Sequence, residues 1–199
     1  MALYEFASSG DFASSITSVN YTPSNATLGI SPTTNTASFT SGRIEISNTD
    51  YIETASAALA DGQYLSVTLT SDLGFLLTLD TFSMGHARSN SAPRQLAIYA
   101  ATNGSSSFTS LGTVGNANSS TLTTYTRDLT TAPISFVNLN SVEFRMVWFD
   151  DNATPGVARY DNITISGDVA AIPEPSTYVL VGVALGSLWL LRRRRFRAY

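Results

Sequence analysis

The sequence has no cysteine, no lysine and a single histidine in 199 residues. Without cysteine there is no disulfide framework, no thiolate metal site and no thiol nucleophile. Without lysine there is no Schiff-base chemistry and no phosphate-loop nucleotide site. A lone histidine, His86, excludes two-histidine metal motifs. Charge is scarce at 13 % of residues. Residues 1–172 carry six arginines against fourteen acids, an acidic body that is a poor partner for nucleic acid. Hydroxyl groups are abundant instead: 27 serines and 25 threonines, about a quarter of the chain.

The remaining five arginines, Arg192, Arg193, Arg194, Arg195 and Arg197, all lie at the C-terminus. They follow an uncharged run from Tyr178 to Leu191, and Pro173-Glu174-Pro175 precedes that run. As a helix, fourteen residues span about 21 Å, against a hydrocarbon core of about 30 Å. Ser176, Thr177 and the stems of the first arginines close much of the difference by snorkelling. A core helix would not be apolar all round and end in four arginines. The arginines are expected to stay cytoplasmic, which puts the body across the membrane. The division is therefore a body at 1–172 and a tail at 173–199.

In its order of Pro-Glu-Pro, short apolar helix and arginine cluster, this tail resembles the PEP-CTERM sorting signal of bacterial exported proteins. The resemblance covers roughly residues 172–197. It implies processing by a membrane protease-transpeptidase of the exosortase type. It also implies a transient anchor in membrane lipid through the C-terminal helix, and release to the cell surface or an exopolysaccharide matrix. Pro173, Glu174 and Pro175 would be the recognition motif, and the arginines the stop signal. The prolines keep the approach to the helix extended. A body carried across a membrane needs an export signal, and the residues ahead of Arg43 show none, so a leader upstream is expected.

The body lacks sustained helical periodicity and shows short alternating runs separated by Ser, Asn and Gly clusters. Leu65, Val67 and Leu69 share one face. So do Leu96, Ile98 and Ala100, and likewise Val142, Phe144, Met146 and Trp148. Leu73 to Met84 is expected to be a long strand with a bend, and Tyr160 to Ser166 a strand with Ile163 and Ile165 inward. Thr121 to Leu129 is predicted to be an exposed edge strand, polar on both faces. Leu3 to Phe6 and Arg43 to Ile46 are weaker strands, and Ala55 to Ala60 a helical turn. The fold class is all-β, an antiparallel two-sheet sandwich of jelly-roll type followed by one C-terminal apolar helix. Ser83 to Pro93, Val142 to Arg145 and Tyr160 to Ile163 with Gly167 resemble the sandwich domains found ahead of PEP-CTERM tails. That resemblance implies a galactose-binding-like or lectin-like fold.

Candidate chemistry is sparse. His86 would need a serine and a carboxylate beside it, and no nucleophile elbow is present. It is expected to be a loop or strand-end residue with ordinary hydrogen bonds. Glu45 and Glu143 are the carboxylates a glycosidase would have to pair. Glu143, next to core-facing Phe144, is expected instead to pair with Arg145 on the outer face. Asp150, Asp151 and Asp161 flank one loop with Asn152, and calcium is the ion these oxygens would suit. A solvated turn is the alternative. Tyr51, Tyr64, Tyr99, Tyr125, Trp148 and Tyr160 are candidate sugar-stacking rings, of which half or more are expected in the core. Tyr125, on the polar strand, is the ligand-binding choice. Asn-x-Ser/Thr occurs six times, as chance predicts in so hydroxyl-rich a chain.

The expectation is a non-catalytic exported protein of the surface or exopolysaccharide matrix. Its alternatives are a glycan hydrolase and a protein-binding adhesin.

Overall fold

The computed structural model describes residues 1–6, 13–16, 20–29, 36–39, 43–48, 52–89, 92–150, 156–172 and 183. Tyr51, Asp151, Asn152, the Pro173–Pro175 motif, the apolar run after it except Val183, and the terminal arginines lie outside these residues. Among the described residues, no helix is long and apolar enough to cross a membrane.

Five short elements come first: β1 (Ala2–Tyr4), β2 (Tyr21–Pro23), β3 (Thr27–Leu28), β4 (Thr36–Phe39) and β5 (Ile44–Asn48). Helix α1 (Ala55–Asp61) follows, then β6 (Tyr64–Ser71), β7 (Phe75–Arg88), β8 (Gln95–Thr102) and β9 (Thr109–Gly115). The chain continues through β10 (Thr123–Asp128), β11 (Ser141–Phe149) and β12 (Gly156–Ala171). One antiparallel sheet has the order β10-β7-β12-β5-β4, with β1 also on β12. The other has the order β2-β6-β11-β8-β9, with β3 also on β6. The expected two-sheet sandwich is present.

Alternation puts one face of each strand into the space between the sheets. Leu65, Val67 and Leu69 meet Phe144, Met146, Leu96 and Ile98 there, all buried. Phe144 stacks on Phe82 of the facing sheet at 4.9 Å between centroids and on Phe136 at 5.8 Å. Two bulges reset the alternation between β7 and β12. Asp80 is an extra residue on β7, so Leu77 and Leu79 face inward before it and Phe82 and Met84 after it. Asn162, at φ 51, is the extra residue on β12, so Tyr160 and Ile163 both face inward. At the first bulge Gly167 has φ 153, and a Cβ there would collide with the Thr78 carbonyl oxygen.

Two expectations need correction. Leu73 lies in the turn before β7 and is fully exposed, because the chain crosses between sheets there. The strand around Tyr125 is an edge strand but not polar on both faces: Tyr125 stands opposite buried Met84 and Arg127 opposite buried Phe82. His86 takes the strand-end alternative, two residues before the end of β7, and is buried at 1 % exposed.

Candidate functional site

Helix α1 decides which part of the second sheet's outer face stays open. Thr54 caps its first turn, its Oγ1 accepting from the Ala57 amide at 3.3 Å. Gly62, at φ 86, ends it, and the Gln63 amide returns to the Ala58 carbonyl at 2.8 Å. Ala58 is buried against Ala97 of β8 and Val147 of β11. These small side chains let the helix sit close over one half of the face. Tyr64, Tyr99 and Phe149 pack around this cluster at its margin.

The register then lays out the uncovered half in rows. One row runs Ser66, Arg145, Tyr99 and Ser110 across β6, β11, β8 and β9. The next holds Thr68, Glu143 and Ala101. Arg145 is clamped: its guanidinium carbon is 4.3 Å from the Tyr64 ring centroid and 3.8 Å from that of Phe108. Its Nε donates to Glu143 Oε1 at 2.7 Å, as the two-residue spacing predicts. Both side chains keep partial contact with water, 22 % and 30 % exposed. Ser66 is nearly buried and shares a 2.7 Å hydrogen bond with Thr27. The result is a patch of aromatic rings, hydroxyls and one fixed ion pair. Rings offer apolar faces to sugar C–H groups, while guanidinium, carboxylate and hydroxyl groups suit sugar hydroxyls.

The sequence reading contained Tyr64, Tyr99, Glu143 and Arg145, but not Phe108. Phe108 ends the serine stretch 105–107 before β9, and an aromatic at that junction was its only signal. Trp148 and Tyr160 are fully buried, with ring centroids 6.0 Å apart. Tyr125 is half-buried and packs against the core, its hydroxyl reaching toward Gly112 of β9. Burial raises its pKa above the ordinary phenol value, opposed by the Arg127 charge.

His86 Nδ1 lies 3.1 Å from Asn116 Oδ1, and Asn116 Nδ2 donates to the Pro93 carbonyl at 3.4 Å. This pairing holds the imidazole in the interior, where His86 Nε2, the Tyr160 hydroxyl and Trp148 Nε1 find no hydrogen-bond partner among the described residues. Glu45 and Glu143 occupy opposite outer faces, one on each sheet. Packed sheets are about 10 Å apart, so these carboxylates cannot flank one glycosidic bond. Glu45 is held by Arg43 at 3.1 Å and Arg159 at 2.9 Å. The two arginines also bind the Ser120 and Ser119 carbonyls, pinning that loop over the first sheet.

Asp150 follows β11 at φ 60, its amide on the Ile52 carbonyl and its carbonyl on the Arg94 amide. Asp161 lies five residues into β12, about 16 Å from the strand's start at the usual rise. Its carboxylate accepts from the Phe6 amide at 3.4 Å and from Asn162 at 3.1 Å. Among the described residues no three His, Cys, Asp or Glu side chains cluster as a metal site would require. A cavity of about 390 Å³ opens between the start of β7 and residues 129–137, lined by Leu79, Leu129, Pro133, Ile134 and Phe136.

Residues 171–195 match the family described as the PEP-CTERM protein-sorting motif. No curated protein matches the chain. Among solved structures, a family 29 carbohydrate-binding module is similar with a TM-score of 0.45 and 13 % identity, over 83 % of this chain and 88 % of that one. A mutant module of that family complexed with mannohexaose gives 0.44 and 14 %, over 83 % and 91 %. A structure described as "CBM4 structure and function" gives 0.41 and 12 %, over 67 % and 78 %.

Proposed function

We propose, for a chain that ends in this sorting motif, an exported protein of the bacterial cell envelope whose sandwich binds glycan without catalysis. The sorting motif at residues 171–195 carries the reading. In it, Pro173-Glu174-Pro175 is the site read by an exosortase-type enzyme. The run from Tyr178 to Leu191 holds the chain in the membrane, and Arg192 to Arg195 with Arg197 stop it there. Release then delivers the sandwich to the surface or the exopolysaccharide matrix.

The glycan-binding part rests on the patch of Tyr64, Tyr99, Phe108, Glu143 and Arg145. Its rings and ion pair sit on a rigid sheet, so little ordering is required when an extended chain of pyranoses lies across it. A hydrolase is disfavoured by the positions of Glu45 and Glu143 on opposite faces. Asp161 lies about 16 Å along β12 from the loop that follows Asp150, so it does not join Asp150 in one calcium site.

The test has two arms. Replacing Pro173-Glu174-Pro175 with alanines is expected to leave the protein uncleaved in the membrane fraction; normal release would refute the sorting assignment. The full chain in detergent is expected to bind the source cell's exopolysaccharide saturably. No retention would end the glycan reading.

A further inference from the structure

The exposed apolar side chains of the body are not scattered. Among the described residues before the tail, four large ones are exposed: Ile16, Leu73, Val137 and Ile172. Three of them lie on the half of the sandwich where β7 begins and β12 ends. Leu73 is in the turn that enters β7 and is fully exposed. The Ile172 amide donates to the carbonyl of Gly74, the next residue, at 2.7 Å. Val137 follows Phe136, whose carbonyl accepts from the Leu79 amide at 2.9 Å, and precedes Asn138, whose amide donates to Thr78 Oγ1 at 3.3 Å. Val137 is therefore fixed beside Thr78 and Leu79 of β7, on the flank opposite β12. Single exposed apolar residues are ordinary, but a group at the chain's point of exit is not.

That end is also where the chain leaves for the tail. Five residues, Pro173 to Thr177, separate Ile172 from the apolar run that begins at Tyr178. Fully extended, this connection spans roughly 20 Å. The headgroup layer is about 5–8 Å thick on each side of the hydrocarbon. A body on so short a tether must keep this end close to the lipid. The geometry points to a membrane-facing tip: Leu73, Val137 and Ile172 rest in the headgroup layer while the tail holds the chain. The inference rests on the reading of the tail as an anchor. The nearby acids, Asp72, Asp80 and Asp168, select zwitterionic over anionic lipid, since an anionic surface would repel them. The rest of the rim suits water, with Asn103, Asn138 and Asn140 exposed and the Asn140 amide bonded to Asn103 Oδ1 at 2.8 Å.

The absence of native cysteine makes the test direct. Leu73→Cys, Val137→Cys and, at the opposite end of β7 near Arg88, Thr121→Cys are each labelled with an environment-sensitive fluorophore. All three residues are on the surface, and the full chain is reconstituted in phosphatidylcholine vesicles carrying a headgroup-proximal quencher. Labels at 73 and 137 are expected to be quenched at least about twofold more than the label at 121, as burial of about 5 Å in the interface predicts. Adding anionic lipid is expected to narrow that difference. If the protein floats with the vesicles and all three labels are quenched alike, the tip is not membrane-facing, and the anchor reading stands. If the protein does not float with the vesicles, the anchor reading fails and takes this inference with it.

Discussion

Replacing Arg145 with alanine removes the centre of the aromatic patch. The guanidinium is clamped between Tyr64 and Phe108 at 4.3 and 3.8 Å and bonded to Glu143 at 2.7 Å. Each half-exposed cation–π contact contributes about 0.5–1 kcal/mol. The partly exposed ion pair adds about 0.2–1 kcal/mol. The loss is thus about 1–3 kcal/mol, centred near 2. With a urea slope of about 2 kcal/mol per molar, the midpoint falls by about 1 M. Urea unfolding followed by tryptophan fluorescence measures this, with an unchanged slope as the sign that only stability moved. Arg145→Lys keeps the charge but not the planar stack, so it is expected to recover the smaller share. A double-mutant cycle with Phe108→Ala isolates the clamp, with an expected coupling of about 0.5–1 kcal/mol. Additivity within about 0.3 kcal/mol would refute the clamp, whatever the single-mutant costs.

Four other substitutions test the framework. Gly167→Ala is expected to cost at least about 2 kcal/mol, because the bulge leaves no room at Thr78 and Leu79; Gly104→Ala, with φ 71 and open space around it, should cost about 1 kcal/mol. Comparing the two midpoints separates collision from backbone strain. Tyr160→Phe removes a buried hydroxyl with no partner among the described residues, so the melting temperature is expected to hold or rise. Thr130 donates to Asp128 Oδ1 from its hydroxyl at 2.6 Å and its amide at 2.9 Å, which holds that carboxyl below its ordinary value of 3.8. A carboxyl lowered by folding stabilises the protein above the unfolded pKa, and that contribution is lost as pH falls through the folded one. Thr130→Val should raise the Asp128 pKa in an NMR titration and weaken this acid-side dependence.

The strands legible in the sequence are those whose alternation is unbroken. In β6, β8 and β11 the period of two runs the whole length, so Leu65, Ile98 and Phe144 declare their face. In β7 and β12 the bulges at Asp80 and Asn162 shift the parity, and a fixed period cannot follow both halves. β9 was missed because its one buried side chain, Leu111, gives no alternation to read. β2, β3 and β4 have two to four residues each and exist through their partners, so their local signal is slight. The site divides in the same way. The Glu143–Arg145 pair depends on spacing within one strand and was visible. The clamp by Tyr64 and Phe108 depends on neighbouring strands and a loop, which tertiary register alone brings together. Tyr125 misled because threonines surround it, while its inward direction is set by pairing with β7.

β12 is the last strand of the body and also an interior strand of its sheet, bonded to β7 on one side and to β5 and β1 on the other. These neighbours, β1, β5 and β7, are made well before the residues that join them. Until residues up to 171 are available, β10-β7, β5-β4 and β1 are three separate pieces and that sheet's half of the core lies open. Such late, long-range pairing delays folding. The seam that locks the domain is thus the last part of it to be made.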